Sequence, residues 1–169
     1  TKFQSGDLLA IYPANDSRER LYSIGKHDGK LQLVVKLHEY GLGSGYLNQL
    51  EIGAKIKARV ITNTAFHFPK QATKVALISN GTGIAPFLGM IQESTPKTET
   101  HLYCGFRTET KSVASYTKLA QEMMDQQRLQ SFNLALSRIP NGCRVTDLIE
   151  RDAAFFKALL NENGVIMIC

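Results

Sequence analysis

The pattern of hydrophobic and polar residues changes character near residue 70. Before that point, short apolar runs rich in β-branched residues alternate with polar turns, which is typical of short β-strands. In one of these runs Ile56, Ala58 and Val60 alternate with charged residues, as expected for a half-buried strand. Strands are predicted at 8–11, 21–24, 31–37 and 55–62, with turns at 12–16 and 26–30. Several short strands at close spacing predict a small antiparallel barrel.

After residue 70, apolar runs with strand and helix periods alternate. Strands are predicted at 74–79, 100–104, 132–137 and 165–169, and helices at 86–93, 115–128 and 146–160. This order is the βαβ pattern of a parallel sheet with helices on both faces. The predicted fold class is therefore β-barrel plus α/β. A barrel domain over 1–68 is followed, after a linker at 66–71, by a parallel-sheet domain over 72–169.

Composition narrows the functional classes only slightly. The chain is 43% hydrophobic and 21% charged, which is ordinary for a soluble globular protein. Its net charge is +5 and its basic residues are scattered, so nucleic-acid binding is not predicted. A modest positive charge suits a phosphorylated cofactor or an acidic partner. The three cysteines are too few and too widely spaced for a disulfide framework or zinc cluster, and the histidines lack metal-ligand spacing, so no metal site is predicted.

The most distinctive chemistry lies in the stretch from Lys74 to Glu93. A short apolar run is followed by Gly81 and Gly83, which permit a tight turn, and by Pro86 in the first turn of a predicted helix. Free N–H groups and the helix dipole make such a helix start an anion site. Because Gly-x-Gly-x-x-Pro differs from the dinucleotide fingerprint Gly-x-Gly-x-x-Gly, the motif alone leaves a phosphate site and a structural turn both open.

Two earlier motifs also have a chemical interpretation. The two-residue period of a strand places Arg20 and Tyr22 on one face, where they offer a phosphate-binding cation and a stacking ring. Further on, the glycine-rich stretch Gly41–Leu50 contains Ser44, which is predicted to N-cap a short helix and complete a second anion cradle. The alternatives at this point are a barrel strand with a surface arginine and a plain glycine-rich loop.

Taken in order, the motifs resemble those of the ferredoxin–NADP⁺ reductase family in sequence and spacing. The resemblance covers essentially the whole chain and is closest to the branch of NADPH–haemoprotein reductases and sulfite reductase flavoproteins. The helical insertion of that branch is absent, because Arg20 follows almost directly after the Gly6–Asp16 segment. The matching motifs are Arg20-x-Tyr22-Ser23, Gly41-x-Gly43-Ser44-x-x-Leu47, Gly81-Thr82-Gly83-Ile84-Ala85-Pro86-Phe87, Tyr103-Cys104-Gly105-Phe106-Arg107 and Ser137-Arg138.

The resemblance implies a role for each matching residue. By this resemblance, Arg20 is expected to bind the flavin phosphate, Tyr22 to stack on the isoalloxazine ring and Ser23 to hydrogen-bond near flavin N5. The remaining cofactor-binding assignments are Gly41, Gly43 and Ser44 for the flavin pyrophosphate; Gly81, Thr82, Gly83 and Pro86 for the NADPH pyrophosphate; and Gly105, Arg107, Ser137 and Arg138 for later nucleotide contacts, the last two at the 2′-phosphate.

Two departures from the family pattern matter. The segment after the Ser-Arg pair has Arg144 where the family has an aromatic residue, which offers a second phosphate contact. Cys169 matches the cysteine that lies beside the nicotinamide, so Ser23 and Cys169 are the expected catalytic residues; an ordinary core-strand thiol is the alternative for Cys169. Since the sequence begins without a methionine and stops within a predicted core strand, the chain is expected to be part of a longer polypeptide.

The resemblance implies an NADPH-dependent flavoprotein reductase with its active site between the two domains. A hydride would pass from NADPH to flavin N5, and electrons would then pass to a flavodoxin-like domain, a haem protein or a ferredoxin. FAD is expected in preference to FMN, and the expected location is the cytoplasm, or the cytoplasmic face of a membrane if segments outside this chain span one. Two alternatives remain: a non-catalytic flavin-binding electron-transfer or regulatory module, and an interaction domain without cofactors.

Overall fold

The computed structural model describes residues 2–13, 16–95 and 97–169 of the chain. The first part of the molecule consists of an antiparallel sheet and a hairpin. The three-stranded sheet has the order β2-β1-β5, and β3 pairs with β4. Leu9, Ile11 and Ile24 form its small core. The elements are β1 (Leu8–Ile11), β2 (Arg20–Ser23), β3 (Gly25–His27), β4 (Lys30–Gln32), α1 (Leu42–Asn48) and β5 (Ala58–Ile61). The predicted barrel-like antiparallel part is therefore confirmed.

Several predicted bounds in this part were wrong. The turn predicted at 26–30 is present but shorter, because Asp28 and Gly29 alone form it, with positive φ (49° and 74°) as a two-residue type I′ turn requires, and the residues on either side pair as β3 and β4. The strand predicted at 31–37 ends at Gln32, and of the residues that follow, Val34, Val35, Lys36 and His38 line a pocket. The alternation predicted over 55–62 fails because Ile56 and Ala58 are exposed. The turn predicted after β1 includes Ala14 and Asn15, which lie outside the described residues.

The second part is a parallel sheet covered on both faces, as predicted. Its strand order is β8-β7-β6-β9. On β6, Val75 and Leu77 face the core beneath α2 and α3, while Ala76 and Ile78 face the core beneath α4 and α5. The elements are β6 (Lys74–Asn80), α2 (Ile84–Glu93), β7 (Glu99–Phe106), α3 (Lys111–Asp125), β8 (Ser131–Leu136), α4 (Val145–Arg151), α5 (Ala153–Asn161) and β9 (Val165–Ile168).

The long helix predicted at 146–160 is interrupted in the structure. Asp152 separates α4 from α5, and its backbone (φ −99°, ψ 23°) departs from helical geometry. Its carboxylate accepts hydrogen bonds from the Tyr103 hydroxyl at 3.0 Å and from the Arg151 guanidinium, which fixes the break over the sheet. Along the described part of the chain, none of the helices has the length and apolar character needed to cross a membrane.

Helix α2 joins the two parts. Small residues of the helix and of the hairpin β3–β4 lie against each other. A Cβ on Gly25 of the hairpin would overlap the carbonyl of Ala85, and a Cβ on Gly89 of the helix would overlap the backbone of Lys26. At the end of the helix, Lys26 Nζ pairs with Glu93 Oε1 at 2.6 Å. This close packing fixes the start of α2, with the glycine turn before it, against the antiparallel part.

Candidate functional site

A pocket of about 380 Å³ lies between β2, the start of α1 and the glycine turn before α2. It brings together residues from three separate motifs. Its walls include Arg20, Tyr22, Gly41, Gly43, Ser44 and Thr82, together with Val34, Val35, Lys36 and His38 from the segment after β4. The three motifs that were recognised separately in the sequence therefore meet at one site.

Gly43 determines the shape of this pocket. A Cβ at this position would lie 2.5 Å from the Tyr22 hydroxyl and 3.0 Å from Arg20 Cγ, so a side chain here would displace both residues. The same contacts show that Arg20 and Tyr22 share one face of β2, as predicted. Burial raises the pKa of Tyr22, so its ring stands neutral beside the glycine. The pocket wall therefore combines the Gly43 backbone, the Arg20 cation and the Tyr22 ring.

Ser44 has a different local role from the one predicted. The N-cap of α1 is Gly41 and no side chain caps the helix, because the helix begins two residues before Ser44. The buried Ser44 hydroxyl instead donates to the Gly41 carbonyl at 3.2 Å and accepts from the His38 backbone N–H at 3.1 Å. Ser44 therefore holds the preceding loop against the helix and stabilises the pocket wall.

The turn before α2 is compact on one side and open on the other. Gly81 has φ +58°, which favours glycine, and a Cβ added there would meet nothing within 4 Å. Residues 81–83 form a 3₁₀ turn that leads directly into α2, and Pro86 lies in the first turn of that helix, as predicted. Since Ile84 to Ile91 are buried, the start of α2 is held firmly while the Gly81 backbone faces open space.

Gly83 is closed in by the end of the last strand. A Cβ on Gly83 would overlap the carbonyl oxygen of Cys169. Cys169 is fixed there because its N–H donates to Ile78 O at 2.9 Å and its carbonyl accepts from Asn80 N at 3.2 Å. The Cys169 thiol points at Ser23 Oγ, 4.0 Å away. Burial raises the pKa of this thiol, so it stays protonated at neutral pH.

A second cluster lies farther along the same sheet edge, where β7 and β8 end. The Arg138 N–H donates to Arg107 O at 2.7 Å, and the Ser137 N–H donates to Phe106 O at 2.9 Å. Gly105 packs against Asn80 and Val145 and so connects this cluster to the glycine turn. Arg144 is the N-cap residue of α4 and follows the point where the loop closes back on β8, where Cys143 N donates to Leu136 O.

The side chains of this cluster lie at the surface, and the Ser137 hydroxyl donates a hydrogen bond to Phe106 O at 3.3 Å. Ser137, Arg138, Arg107 and Arg144 are all exposed. Within residues 2–13, 16–95 and 97–169, the arginine ion pairs are those of Arg18, Arg20, Arg59 and Arg151. Among the described residues, the guanidinium groups of Arg107, Arg138 and Arg144 therefore have no carboxylate partner, and exposed groups of this kind can bind a phosphate.

Most of the sequence-predicted residues fall into three groups. Arg20, Tyr22, Gly41, Gly43, Ser44 and Thr82 line the pocket; Ser23, Gly83 and Cys169 meet beside it; and Arg107, Ser137, Arg138 and Arg144 lie at the far end of the sheet edge. Sequence reasoning missed Asp16, whose Oδ2 lies 3.0 Å from Arg20 Nη2. The available signal was an acidic residue four positions before the arginine.

Comparison with known proteins identifies related chains. The family model described as an oxidoreductase NAD-binding domain matches residues 77–169. A nitric oxide synthase of Anopheles stephensi is 33% identical over 92% of this chain, and an NADPH-dependent diflavin oxidoreductase of Cryptococcus neoformans is 27% identical over 99% of it. The chain spans only 14% and 29% of the lengths of these two relatives.

A solved structure with the same fold comes from Plasmodium falciparum. It is a variant of ferredoxin–NADP⁺ reductase in complex with 2′P-AMP, with a TM-score of 0.81 and 23% identity. The likeness covers 99% of this chain and 74% of that one. The order of an antiparallel sheet followed by a parallel sheet is therefore the fold of that protein.

Proposed function

Because the chain belongs to the ferredoxin–NADP⁺ reductase family and carries its oxidoreductase NAD-binding domain, we propose that it is the FAD- and NADPH-binding part of a flavoprotein reductase. Residues 1–68 would form the flavin domain and 72–169 the NADP domain. The observation that carries the proposal is the meeting of Ser23, Gly83 and Cys169 at the junction of the two sheets. When bound there, a flavin accepts a hydride from NADPH and releases electrons to a redox partner.

The pocket at Gly43 fits the flavin. Arg20 supplies a cation for a phosphate, and Tyr22 supplies a neutral ring for stacking on a planar ring system. The absence of a side chain at Gly43 lets Arg20 and Tyr22 lie directly against the α1 backbone, where a pyrophosphate could contact all three, while Ser44 and Gly41 hold the loop in place. FAD is proposed rather than FMN, because the two phosphates of a pyrophosphate could contact Arg20 and the first residues of α1 at the same time.

The remaining sheet edge fits NADPH. The open Gly81 backbone, Thr82 and the start of α2 are proposed to receive the pyrophosphate. Ser137 and Arg138, with Arg107 and Arg144 nearby, are proposed to bind the adenosine 2′-phosphate, since guanidinium groups accommodate that phosphate in NADP-specific sites. The structural neighbour from Plasmodium falciparum, solved with 2′P-AMP, supports this assignment.

The proposed catalytic roles come from the family resemblance, and the contacts at Gly83 are consistent with them. Ser23 would orient the flavin by hydrogen bonding near N5, and Cys169 would limit the space for the nicotinamide. Because burial raises the pKa of Cys169, its thiol adds no negative charge next to a hydride in transit. The tight contact between Gly83 and the Cys169 carbonyl would fix the spacing of the two rings.

The electron acceptor is proposed by analogy with the relatives. A nitric oxide synthase and a diflavin oxidoreductase are among them, so a flavodoxin-like domain or a haem protein is the proposed class of acceptor, with ferredoxin as a third. A cytoplasmic location, or the cytoplasmic face of a membrane, belongs to the same proposal.

Arg20→Ala tests the flavin site directly. We expect its affinity for FAD to fall about 10- to 100-fold, since a charge-assisted hydrogen bond to a phosphate contributes about 1.5–3 kcal/mol. The measurement is a fluorescence titration of apoprotein with FAD. Arg59→Ala is the matched control, because that arginine pairs with Glu19 outside the pocket. Equal FAD affinity in Arg20→Ala and wild type would refute the assignment of the pocket.

A further inference from the structure

The guanidinium of Arg20 is already engaged by its own stretch of chain. Its Nη2 pairs with Asp16 Oδ2 at 3.0 Å, and its Nη1 donates to the Arg18 carbonyl at 3.1 Å. The Asp16 and Arg20 side chains are 13% and 32% exposed, so water screens this pair less than a fully solvated one. A phosphate that binds Arg20 must displace the carboxylate or lie beside a second negative charge, and either arrangement is unfavourable.

Asp16 is shared between two arginines. Arg18 donates its Nε to Oδ1 and its Nη2 to Oδ2, both at 3.2 Å, and its backbone N–H to Oδ1 at 2.9 Å. These contacts, with that of Arg20, lower the pKa of Asp16 to about 2. The carboxylate is therefore ionised at every physiological pH. Arg18 competes with Arg20 for it and offsets part of its charge.

The neighbouring carboxylate is committed elsewhere. Glu19 accepts two hydrogen bonds from Arg59 Nη2, at 2.7 and 3.0 Å, and one from the Tyr12 hydroxyl at 3.1 Å. Among the described residues, Asp16 is thus the acidic side chain paired with Arg20. Glu19 lies on the same stretch with the same charge, and so provides a matched control.

We propose that Asp16 is an affinity-determining residue of the flavin site: its carboxylate competes with the flavin phosphate for Arg20 and weakens FAD binding, while Arg18 moderates that competition. The inference rests on the proposed function, in which Arg20 binds the phosphate. It also has a sequence basis, because only three residues separate Asp16 from Arg20 and the two side chains meet within one local turn.

The test is a titration of apoprotein with FAD at low ionic strength, followed by flavin fluorescence. Asp16→Asn is expected to bind FAD about fivefold more tightly than wild type, and the difference is expected to shrink in high salt. Glu19→Gln is expected to remain within about twofold of wild type, because its charge is neutralised by Arg59. Riboflavin, which lacks the phosphate, is expected to bind Asp16→Asn and wild type equally.

A double-mutant comparison isolates the competition itself. Arg18→Gln is expected to weaken FAD binding when Asp16 is present and to have much less effect in the Asp16→Asn background. Circular dichroism checks that each variant is folded, and Asp16→Ser replaces Asp16→Asn if the latter is not. Unchanged or weaker FAD binding by the folded Asp16 variant would overturn the inference.

The two proposals fail in different ways. If Arg20→Ala keeps wild-type affinity for FAD, the flavin site is misassigned and the competition has no basis. If Arg20→Ala weakens FAD binding but Asp16→Asn does not tighten it, the flavin site stands and only the competition is wrong.

Discussion

Replacing Gly83 with alanine is expected to slow flavin reduction by NADPH about 10²-fold while FAD stays bound, because a displacement of about 1 Å between reacting groups has an effect of that size. A Cβ at Gly83 would overlap the Cys169 carbonyl. The carbonyl and the N–H of Cys169 form backbone hydrogen bonds with Asn80 and Ile78, respectively. The strain would therefore move the end of β9 rather than a flexible side chain. The proposed flavin contacts at Arg20 and Gly43 lie on other elements. The measurement is single-turnover reduction under anaerobic conditions.

Gly45→Ala is the control for this variant. A Cβ at Gly45 would meet nothing within 4 Å, and the residue lies inside α1, where alanine is favourable. We expect this variant to reduce flavin at the wild-type rate. A wild-type rate in Gly83→Ala with full FAD content would show that the contact between Gly83 and Cys169 does not set the geometry of transfer.

Arg138→Ala is expected to lower kcat/KM for NADPH about 10- to 100-fold and to change that for NADH less than about twofold, since the lost contact contributes about 1.5–3 kcal/mol only when the 2′-phosphate is present. Arg138 is exposed and its backbone is fixed to Arg107, so the substitution removes the guanidinium without disturbing the loop. Steady-state kinetics with both nucleotides measure the effect.

Lys118→Ala removes a charge of the same sign from the exposed face of α3, where the side chain is 82% exposed. It is expected to leave the NADPH preference unchanged. An equal loss with both nucleotides in Arg138→Ala, or no preference for NADPH in wild type, would contradict the 2′-phosphate assignment.

The sequence predicted the parallel sheet well because its signal is strong and local. The alternation along β6 follows from burial on both faces, with Val75 and Leu77 toward one helix layer and Ala76 and Ile78 toward the other. The glycine turn and the buried start of α2 followed from Gly81, Gly83 and Pro86, whose backbone requirements are specific.

The antiparallel part was harder to predict because its pattern depends on pairing partners that are distant in sequence. Residues 33–37 have the composition of a strand, but they form none, and Val34, Val35 and Lys36 line a pocket instead. A turn was predicted at 26–30, but its restriction to Asp28-Gly29 and the pairing of β3 with β4 were not, although this dipeptide is typical of tight hairpins. Ser44 is a residue type that often caps helices, but the helix begins earlier, at Leu42. Its hydroxyl instead donates to the Gly41 carbonyl in the preceding loop.

The site itself was predictable as motifs but not as geometry. Neither the approach of Cys169 to Ser23 nor the overlap with Gly83 follows from spacing, because these residues come from β2, the glycine turn and the end of β9. The pairing of Asp16 with Arg20 also depends on side-chain orientation. The family resemblance supplied expected roles, and the structure supplies the contacts that make those roles testable.

The most direct test of the central claim is anaerobic stopped-flow mixing of the FAD-loaded protein with NADPH carrying deuterium at either face of nicotinamide C4. The account predicts that the visible absorbance of oxidised flavin disappears, and that deuterium at one face, but not the other, slows the disappearance. A bound flavin that stays oxidised in excess NADPH, or that is reduced at the same rate with both deuterated nucleotides and with unlabelled NADPH, would contradict it.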